Sequence, residues 1–249
     1  MTNEQLQGSQ TAKNGFKNED DIVDKFNNWN QDEDARKWLL IMQYNLEEIE
    51  YVKAVKLSGQ KTDVQAQVTI KLKEAIDVQN LQVKLVSNEK GFNQIDKRWV
   101  DKYVELWQIP ATIVNIIKRY SGELPPTIEN PKDKRRMFAN EFSTAEQQSI
   151  LTWLNQNKSL IVSDILKGRG QFSAEWMLVA QKVKLNSRWV LKPMNFCLNY
   201  FGNGEIVMTK QGNFRIAKIG MQRKGGDGGR PTANMLQFKI NPAELFDIE

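Results

Sequence analysis

The chain has 249 residues, of which 40% are hydrophobic and 26% are charged, a balance typical of folded globular proteins and not of disordered ones. No run approaches the roughly 20 consecutive apolar residues that a membrane helix needs, and the polar N-terminal segment does not predict a secretory signal. With no histidine and one cysteine, the sequence excludes Ser-His and Cys-His catalysis, histidine-containing or cysteine-cluster metal sites, and intrachain disulfides. We therefore expect a protein of the reducing cytoplasm, whose site chemistry uses other polar side chains.

Charge is distributed unevenly along the chain, which has a net charge of +5 and a pI of about 9.1. Residues 1–50 contain 11 acidic and 5 basic side chains, so the remaining residues contain 19 acidic and 30 basic ones. Such a basic region favours a polyanionic partner over an acidic substrate or a membrane surface. Charge alone leaves open that this is a basic soluble protein without such a partner.

The first 50 residues predict two helices. Residues 19–29 place Ile22, Phe26 and Trp29 at helical spacing on one face, and acidic residues occupy the first turn, where the helix dipole favours them. Residues 33–49 carry a second set of apolar residues and form the second predicted helix.

A strand pair is predicted next. Residues 63–72 and 80–85 alternate apolar and polar side chains, as strands with one buried face do. The short connection between them favours an antiparallel hairpin. Folding about its middle brings Asp63 opposite the far end of the second strand, near Lys84.

Helices and strands are mixed in the rest of the chain. Helices are predicted over residues 97–120, with a break at a proline, and over 143–157, where Ser143 and Glu146 fit a capping box. The predicted strands are 161–166, 175–182, 213–224 and 234–240. A proline-containing loop over 121–134 is the best candidate for a subdomain boundary or an insertion. Because no clean βαβ rhythm is present, we expect an α/β fold with a mixed sheet, or an α+β fold.

The best candidate for a catalytic site is Thr62-Asp63 followed, after eighteen residues, by Gln82-Val83-Lys84. The Asp carboxylate, the Gln side-chain carbonyl and the Val83 backbone carbonyl are hard oxygen ligands suited to Mg²⁺. Lys84 projects to the same face as Gln82, where its amino group could orient or deprotonate an attacking water and bind a phosphate. Spacing alone is weak evidence, because such residues usually form a solvated sheet face.

Longer segments carry a more specific resemblance. The candidate catalytic residues resemble the core of the PD-(D/E)-x-K nucleases, and the chain is similar nearly end to end to the HinP-type restriction endonucleases, small enzymes that cut at GCGC. The segments that carry this resemblance are residues 85–97, 131–138, 222–227 and 234–240.

The resemblance implies a Mg²⁺-dependent type II restriction endonuclease that hydrolyses both strands of double-stranded DNA at GCGC, after the first G. It implies a restriction-endonuclease-like core, with a mixed central β-sheet flanked by helices, in one nuclease domain over residues 1–249. Residues 97–160 are then a candidate helical insertion or subdomain, and 213–240 a strand-loop-strand element that reads DNA. A bacterial cytoplasmic location, a cognate cytosine methyltransferase as functional partner, and a monomer or weak homodimer are further expectations.

Residue by residue, the resemblance makes Asp63 the metal-binding carboxylate, Lys84 the catalytic lysine and Thr62 the hydroxyl residue usual beside the Asp. Gln82 stands where the wider superfamily usually has an acid. One less negative charge on the metal puts a fixed two-metal site in doubt, and a second ion would bind weakly or only with DNA. Glu19, on the first predicted helix, resembles the acid that many relatives place near the metals.

Three segments are candidates for contacting DNA. In the first, Asn93, Gln94 and Lys97 offer polar groups to DNA, while Phe92 either wedges between base steps or folds back onto the core. The second segment and the strand after it contribute Arg223, Lys224, Arg230, Asn234, Gln237 and Lys239 around a glycine-rich loop. The third, residues 132–136, is a basic run that suits phosphates or a solvated surface.

Two other functions remain open from the sequence. One is a structure-specific nuclease of DNA repair or junction resolution on the same core, which a short palindromic cleavage site would reject. The other is a non-catalytic DNA-binding protein with a degenerate nuclease core. Gln82 in the place of an acid is its only support, and Asp63 and Lys84 argue against it.

Overall fold

The computed structural model describes residues 3–57, 66–88, 91–183 and 186–248. The helices among these residues are α1 (Asn3–Asn27), α2 (Glu33–Ile41), α3 (Val100–Trp107), α4 (Ala111–Ser121), α5 (Thr144–Gln156), α6 (Lys158–Lys167) and α7 (Met194–Gly202). The strands are β1 (Ile49–Lys56), β2 (Ala66–Leu72), β3 (Ile76–Val86), β4 (Asn93–Arg98), β5 (Trp176–Val183), β6 (Asn186–Pro193), β7 (Ile206–Met208), β8 (Phe214–Ile216), β9 (Ile219–Arg223) and β10 (Leu236–Ile240). Within the described residues, no helix is both long and apolar enough to span a membrane.

The chain divides into two compact units, each with a five-stranded sheet. The first unit consists of Met1–Gly8, Gln94–Ile165 and Leu198–Ile240. The second unit consists of Ser9–Asn93, Leu166–Cys197 and Asn241–Glu249.

The second unit contains a mixed sheet with the strand order β1-β2-β3-β5-β6. β3 and β5 run parallel, whereas the other neighbours pair antiparallel. Ile22 and Phe26 lie on one side of α1, four residues apart, and join Trp38 of α2 and Leu81 and Val83 of β3 in one buried cluster. The middle of β5 is also fully buried, as expected for a central strand of a sheet that is covered on both faces.

The first unit contains the sheet β4-β10-β9-β8-β7. Aromatic side chains of α3 and α4 pack against its buried face. The ring centroids of Tyr103 and Trp107 lie 5.5 and 5.9 Å from that of Phe238 on β10, and the Tyr120 centroid lies 5.1 Å from that of Phe214 on β8. The Tyr120 hydroxyl also donates to a backbone carbonyl of β9, so burial of this polar group is compensated.

Several predicted elements are confirmed. The fold is mixed α/β, with helices flanking a five-stranded mixed sheet. β2 and β3 form the predicted antiparallel hairpin, in which Ala66 pairs with Leu81. Ser143 caps α5 and makes the predicted capping box with Glu146. The helix predicted over residues 19–29 is the C-terminal part of the longer α1.

Two predicted elements are wrong in type or extent. Residues 161–166, predicted as a strand, lie in α6, because a short apolar run has no periodicity that separates a strand from a buried helix. The helix predicted over 33–49 ends at Ile41. Gln43 adopts a left-handed backbone with a φ of 69°, and the chain then turns into β1, which the sequence patterns did not predict.

Two further boundaries also differ. Residues 97 and 98, predicted to be helical, end β4, which belongs to the sheet of the first unit. The strand predicted over 213–224 is two strands, β8 and β9, since Ala217 has a φ of 51° and turns the chain between them. The sequence patterns also did not predict β6, β7 or α7.

Candidate functional site

The predicted catalytic residues of β3 lie in the middle of the second unit's sheet. Gln82 pairs with Met177 and Lys84 with Val179 on the parallel neighbour β5. Gln82 is fully buried, and Val83 and Lys84 are only 3% and 7% exposed. Thr62 and Asp63 lie outside the described residues. The buried position distinguishes Gln82 and Lys84 from the solvated sheet face that their spacing would ordinarily indicate.

Gln82 is a buried amide that lacks hydrogen-bond partners. Among the described residues, neither its Oε1 nor its Nε2 atom finds one. Leaving such a group unsatisfied costs about 1–3 kcal/mol, so its presence marks a place where a ligand or ordered water completes the bonding. An amide oxygen is one of the neutral ligands that hard divalent cations accept. Gln82 therefore fits the metal-ligand role expected of it.

Asn18 of α1 is a second buried amide of this kind, and sequence reasoning missed it. It is 2% exposed, and neither side-chain polar atom has a partner within the described part of the chain. Asn18 lies four residues before Ile22, on the stripe of α1 that faces the core. A polar residue within an apolar stripe was the signal available in the sequence.

Glu19, the next residue, is a buried acid that interacts with two lysines. Its Oε2 atom lies 3.3 Å from the Nζ of Lys56 at the end of β1, and Lys56 also pairs with Asp20 at 2.9 Å. Burial raises the pKa of Glu19, an effect that Lys56 and Lys84 oppose. The electrostatic interaction with Lys84 brings the predicted acid of α1 and the predicted lysine of β3 into one region of the second unit.

The oxygen donors of this region suit a hard cation. The described residues contain no group of three or more Asp, Glu, His or Cys side chains that could hold a metal by themselves. What they offer are the Glu19 carboxylate, the Gln82 amide and the Val83 carbonyl, which are all oxygen ligands. This donor set fits Mg²⁺ and does not fit metals that prefer sulfur.

Phe92, predicted as a wedge or as a core residue, lies on the surface. Its side chain is 65% exposed, so the alternative in which it folds onto the core is wrong. The turn around it is held by two hydrogen bonds: the Gly91 amide donates to Asn88 at 2.8 Å, and the Asn93 amide group donates to the Gly91 carbonyl at 2.7 Å. An exposed aromatic ring on a fixed turn is suited to insertion between bases.

β4 carries Gln94 and Lys97, both exposed, on a strand with a buried polar anchor. In that anchor, Asp96 accepts a hydrogen bond from the Tyr103 hydroxyl at 3.0 Å and lies 3.3 Å from Nε of Arg98. Arg98 also lies 3.6 Å from a carboxylate oxygen on α6. Burial raises the pKa of Asp96. These contacts tie β4 to α3 and α6, so its exposed side chains project from an anchored strand.

The glycine-rich segment after β9 forms a loop with an unusual backbone. Gly225, Gly226, Gly228 and Gly229 have φ values of 65°, 61°, 58° and 83°, a region that favours glycine. At three of them, Gly225, Gly226 and Gly229, an added Cβ would meet nothing within 4 Å, so backbone conformation and not crowding requires glycine there. Arg230 follows this loop and is exposed.

The pairing of β9 with β10 separates the predicted DNA-binding residues onto two faces. Arg223 pairs with Leu236, which alternates with the core residue Phe238, whereas Gln237 and Lys239 point to the other face. Gln237 is 3% exposed, and burial lowers the pKa of Lys239. Gln222, directly opposite Gln237, is a polar residue on that face that sequence reasoning did not single out.

Arg223 belongs to a cluster of basic side chains in the first unit. Its Nε and Nη2 atoms donate to the Asn234 Oδ1 atom at 3.2 and 2.7 Å. Asp133 pairs with Arg135 through two contacts of 2.9 Å, and Arg136 lies 3.9 Å from the centre of a phenylalanine ring. Burial and then repulsion from Arg135 lower the pKa of Arg223, although a guanidinium remains charged. With three arginines and one aspartate, this cluster has a net positive charge, which favours a polyanionic partner.

Comparisons with known proteins identify a family and a fold. A family model described as R.HinP1I restriction endonuclease matches residues 42–246. Among solved structures, a crystal structure of restriction endonuclease MspI in complex with its cognate DNA matches with a TM-score of 0.66 and 13% sequence identity. That match covers 96% of this chain and 93% of the other, and at such low identity it shows the fold alone. No curated protein matches the sequence.

Proposed function

The chain belongs to the R.HinP1I restriction endonuclease family, a family of site-specific DNA nucleases, and from that premise we propose that it hydrolyses both strands of double-stranded DNA at GCGC, after the first G, with Mg²⁺. The observation that carries the proposal is the buried Gln82 amide, which lacks a partner among the described residues and lies two positions before Lys84 on β3. A fold shared with a DNA-bound restriction endonuclease supports the same activity.

We assign the metal ligands to the Asp63 carboxylate, the Gln82 side-chain oxygen and the Val83 backbone carbonyl, with Glu19 as an additional acid. Asp63 lies outside the described residues and is included because of its spacing from Gln82 and Lys84 in the sequence. When bound, Mg²⁺ supplies an activated water and neutralises charge on the scissile phosphate.

The chain's own residues divide the remaining work. Lys84 lies on the same side of β3 as Gln82. As a neutral amine it takes a proton from the attacking water, or as an ammonium it orients that water and pairs with the phosphate. Thr62 supplies the hydroxyl beside Asp63. Because Gln82 is neutral where related nucleases have an acid, the site holds one less negative charge, and a second ion binds weakly or only with DNA.

We assign the DNA contacts to aromatic, polar and basic side chains of the loops and strands described above. Phe92 inserts between base steps, and Asn93, Gln94 and Lys97 contact base edges and phosphates. The proposed contacts of the other segments are Arg223, Lys224, Arg230, Asn234, Gln237 and Lys239. Because every pair of GCGC is a G·C pair, arginine and lysine are suited to read it through guanine O6 and N7.

The organisation of the protein follows from this activity. We propose that residues 1–249 act as one nuclease domain, with 97–160 as a helical insertion and 213–240 as a DNA-reading element. Cutting a palindrome on both strands then requires a weak homodimer or a monomer that acts twice. A cytosine methyltransferase that modifies the same site, in the same bacterial cytoplasm, would protect the host DNA.

The test is a digest of plasmid and phage DNA by the purified protein, with and without Mg²⁺, followed by sequencing of the ends. We expect discrete fragments that open at GCGC after the first G, and only with the metal. Fragments with another fixed end sequence would reject the GCGC assignment and keep the enzyme class. Uniform degradation would point to a structure-specific or non-specific nuclease. Salt-sensitive DNA binding without cleavage would point to a degenerate core.

A further inference from the structure

Arg223 and Asn234 face each other across the base of the glycine-rich loop. Two backbone hydrogen bonds close this base, from the Lys224 amide to the Met235 carbonyl at 2.8 Å and from the Gly225 amide to a carbonyl one residue before Asn234 at 2.9 Å. The Asn234 Oδ1 atom accepts from both Nε and Nη2 of Arg223. Asn234 therefore holds the edge of the Arg223 guanidinium that is formed by Nε and Nη2.

The edge of the Arg223 guanidinium formed by Nη1 and Nη2 is available to another hydrogen-bond acceptor. A guanidinium has five N–H donors in one plane, and Asn234 accepts from two of them. No described residue accepts from Nη1 of Arg223, and the side chain is only partly buried. The free edge, formed by Nη1 and the second hydrogen of Nη2, has the geometry that pairs with guanine O6 and N7.

Gly122, at the C-terminal end of α4, lies directly against Arg223 and Asn234. Its φ is +91°, and a Cβ there would lie 2.9 Å from the Arg135 carbonyl, 3.2 Å from Asn234 Oδ1 and 3.3 Å from Arg223 Nε. A side chain at position 122 would therefore displace the loop, the acceptor or the guanidinium.

Charge explains why Arg223 needs such support. Burial lowers the pKa of Arg223, and repulsion from Arg135 and Arg136 lowers it further, while Asp133 attracts the guanidinium but is engaged by Arg135. In the absence of a fixed acceptor, this repulsion and the rotamer freedom of arginine would spread the guanidinium over many positions. Asn234 restricts it to one position.

We propose that Asn234 and Gly122 are positioning residues that hold Arg223 for reading a guanine, so that Asn234 acts through the arginine and not on a base. This inference rests on the proposed function, because it assumes that Arg223 contacts DNA. It replaces the DNA contact assigned above to Asn234 with a role through Arg223, and it assigns a role to Gly122, which the sequence did not indicate.

The experiment measures binding to two short duplexes in Ca²⁺, which supports binding in place of the catalytic metal. One duplex carries the site mapped by end sequencing and the other has one G·C pair of that site replaced. The readout is the dissociation constant for the altered duplex divided by that for the duplex with the mapped site. We expect Arg223→Ala and Asn234→Ala each to reduce this ratio by about tenfold or more, which is the range for one lost bidentate contact. The double variant should lose no more than either single one.

Two further variants separate positioning from damage to the fold. Asn234→Asp keeps an oxygen acceptor and should retain the ratio, even if its charge weakens binding to both duplexes equally. Gly122→Ala should lower the ratio. Gly168→Ala is the matched control, because Gly168 also has a positive φ, +76°, but a Cβ there would meet nothing within 4 Å. Thermal melts show that each variant is folded.

The outcomes distinguish this inference from the proposed function. If Arg223→Ala leaves the ratio unchanged, Arg223 does not read a base, and both its proposed DNA role and the inference are rejected. If Arg223→Ala lowers the ratio but Asn234→Ala does not, only the positioning role is rejected. Additive losses in the double variant would mean that Asn234 contacts a base independently, which also overturns the inference.

Discussion

Lys56 Nζ lies 3.3 Å from Oε2 of Glu19, so the end of β1 is tied to the helix that carries the predicted metal-binding acid. The carboxyl is mostly buried, and its burial would favour the neutral form. Lys56 on one side and Lys84 on another favour the charged form instead. The second unit thus brings the Glu19 carboxylate near Lys84, on the strand that also carries Gln82.

Replacing Lys84 should slow DNA cleavage much more than it weakens DNA binding. We expect Lys84→Ala to slow cleavage of the mapped site by a factor of about 10² to 10⁴, the usual contribution of a positioned proton-transfer group. Asp63→Ala should have at least as large an effect. Single-turnover cleavage assays measure both. Thermal melting and duplex binding in Ca²⁺ serve as controls and should change little for Lys84→Ala. Cleavage at the wild-type rate by either variant would contradict the site assignment.

Replacing Gln82 should improve stability while it removes activity. Gln82→Met substitutes an apolar side chain of similar volume for a buried amide that has no partner in the described ranges. We expect the free energy of unfolding without metal to rise by about 1 kcal/mol or more, and cleavage to be lost.

The matched control for Gln82 is Asn80 on the same strand. Asn80 is 6% exposed, and its amide donates to the Gln171 carbonyl at 3.0 Å and accepts from Gln67 at 3.0 Å. Asn80→Leu should therefore lower the free energy of unfolding. Urea denaturation measures both variants. A Gln82→Met protein less stable than the wild type would show that the amide is satisfied in solution.

Phe92 should contribute to binding by stacking with bases. We expect Phe92→Ala to weaken binding of the cognate duplex by about tenfold, because one base–aromatic stack contributes roughly 1–3 kcal/mol. A fluorescent base analogue placed within the site reports unstacking directly, and its signal should be lost in the variant. Ile76→Ala is the control, since Ile76 is 60% exposed and has no proposed DNA contact. Equal effects of the two substitutions would reject insertion.

The ion pair between Asp133 and Arg135 should make the basic loop sensitive to acid. The hydrogen-bonded Arg135 guanidinium holds the pKa of Asp133 below its usual range. A carboxyl with a lowered pKa in the folded state adds stability above the pKa of the unfolded state, about 3.9, and this stability is lost as the pH falls through the folded value. Because Arg135 is 69% exposed, solvent screens this pair and its contribution to stability is small.

Urea denaturation at several pH values checks this dependence. The wild type should be more stable than Asp133→Asn at neutral pH, and the two should converge below about pH 4. Asp24→Asn is the control, because Asp24 is exposed and forms no ion pair within the described part of the chain. Its difference from the wild type should not depend on pH in this way. A constant difference for Asp133→Asn would rule out the ion pair as its cause.

Local patterns in the sequence determined several elements, including the strand that carries Gln82 and Lys84. Alternation over residues 80–85 predicted a strand that places Gln82 and Lys84 on one side, and β3 has this form. The capping box at Ser143 likewise depends on residues three apart. Such features are encoded within a few residues, because backbone periodicity and end capping are local properties. Lack of histidine and of a second cysteine restricted the available chemistry in the same direct way.

Tertiary structure alone decided which side chains meet. β4 is a strand because it pairs with β10, more than a hundred residues away, and this pairing overrides the helical pattern of its last residues. The register of β9 and β10 places Arg223 and Gln237 on opposite faces, and the loop between them brings Asn234 to Arg223. That Gln82 is buried, with no partner among the described residues, is also a property of the packed sheet. These facts depend on strand register and burial between distant segments, which local spacing does not specify.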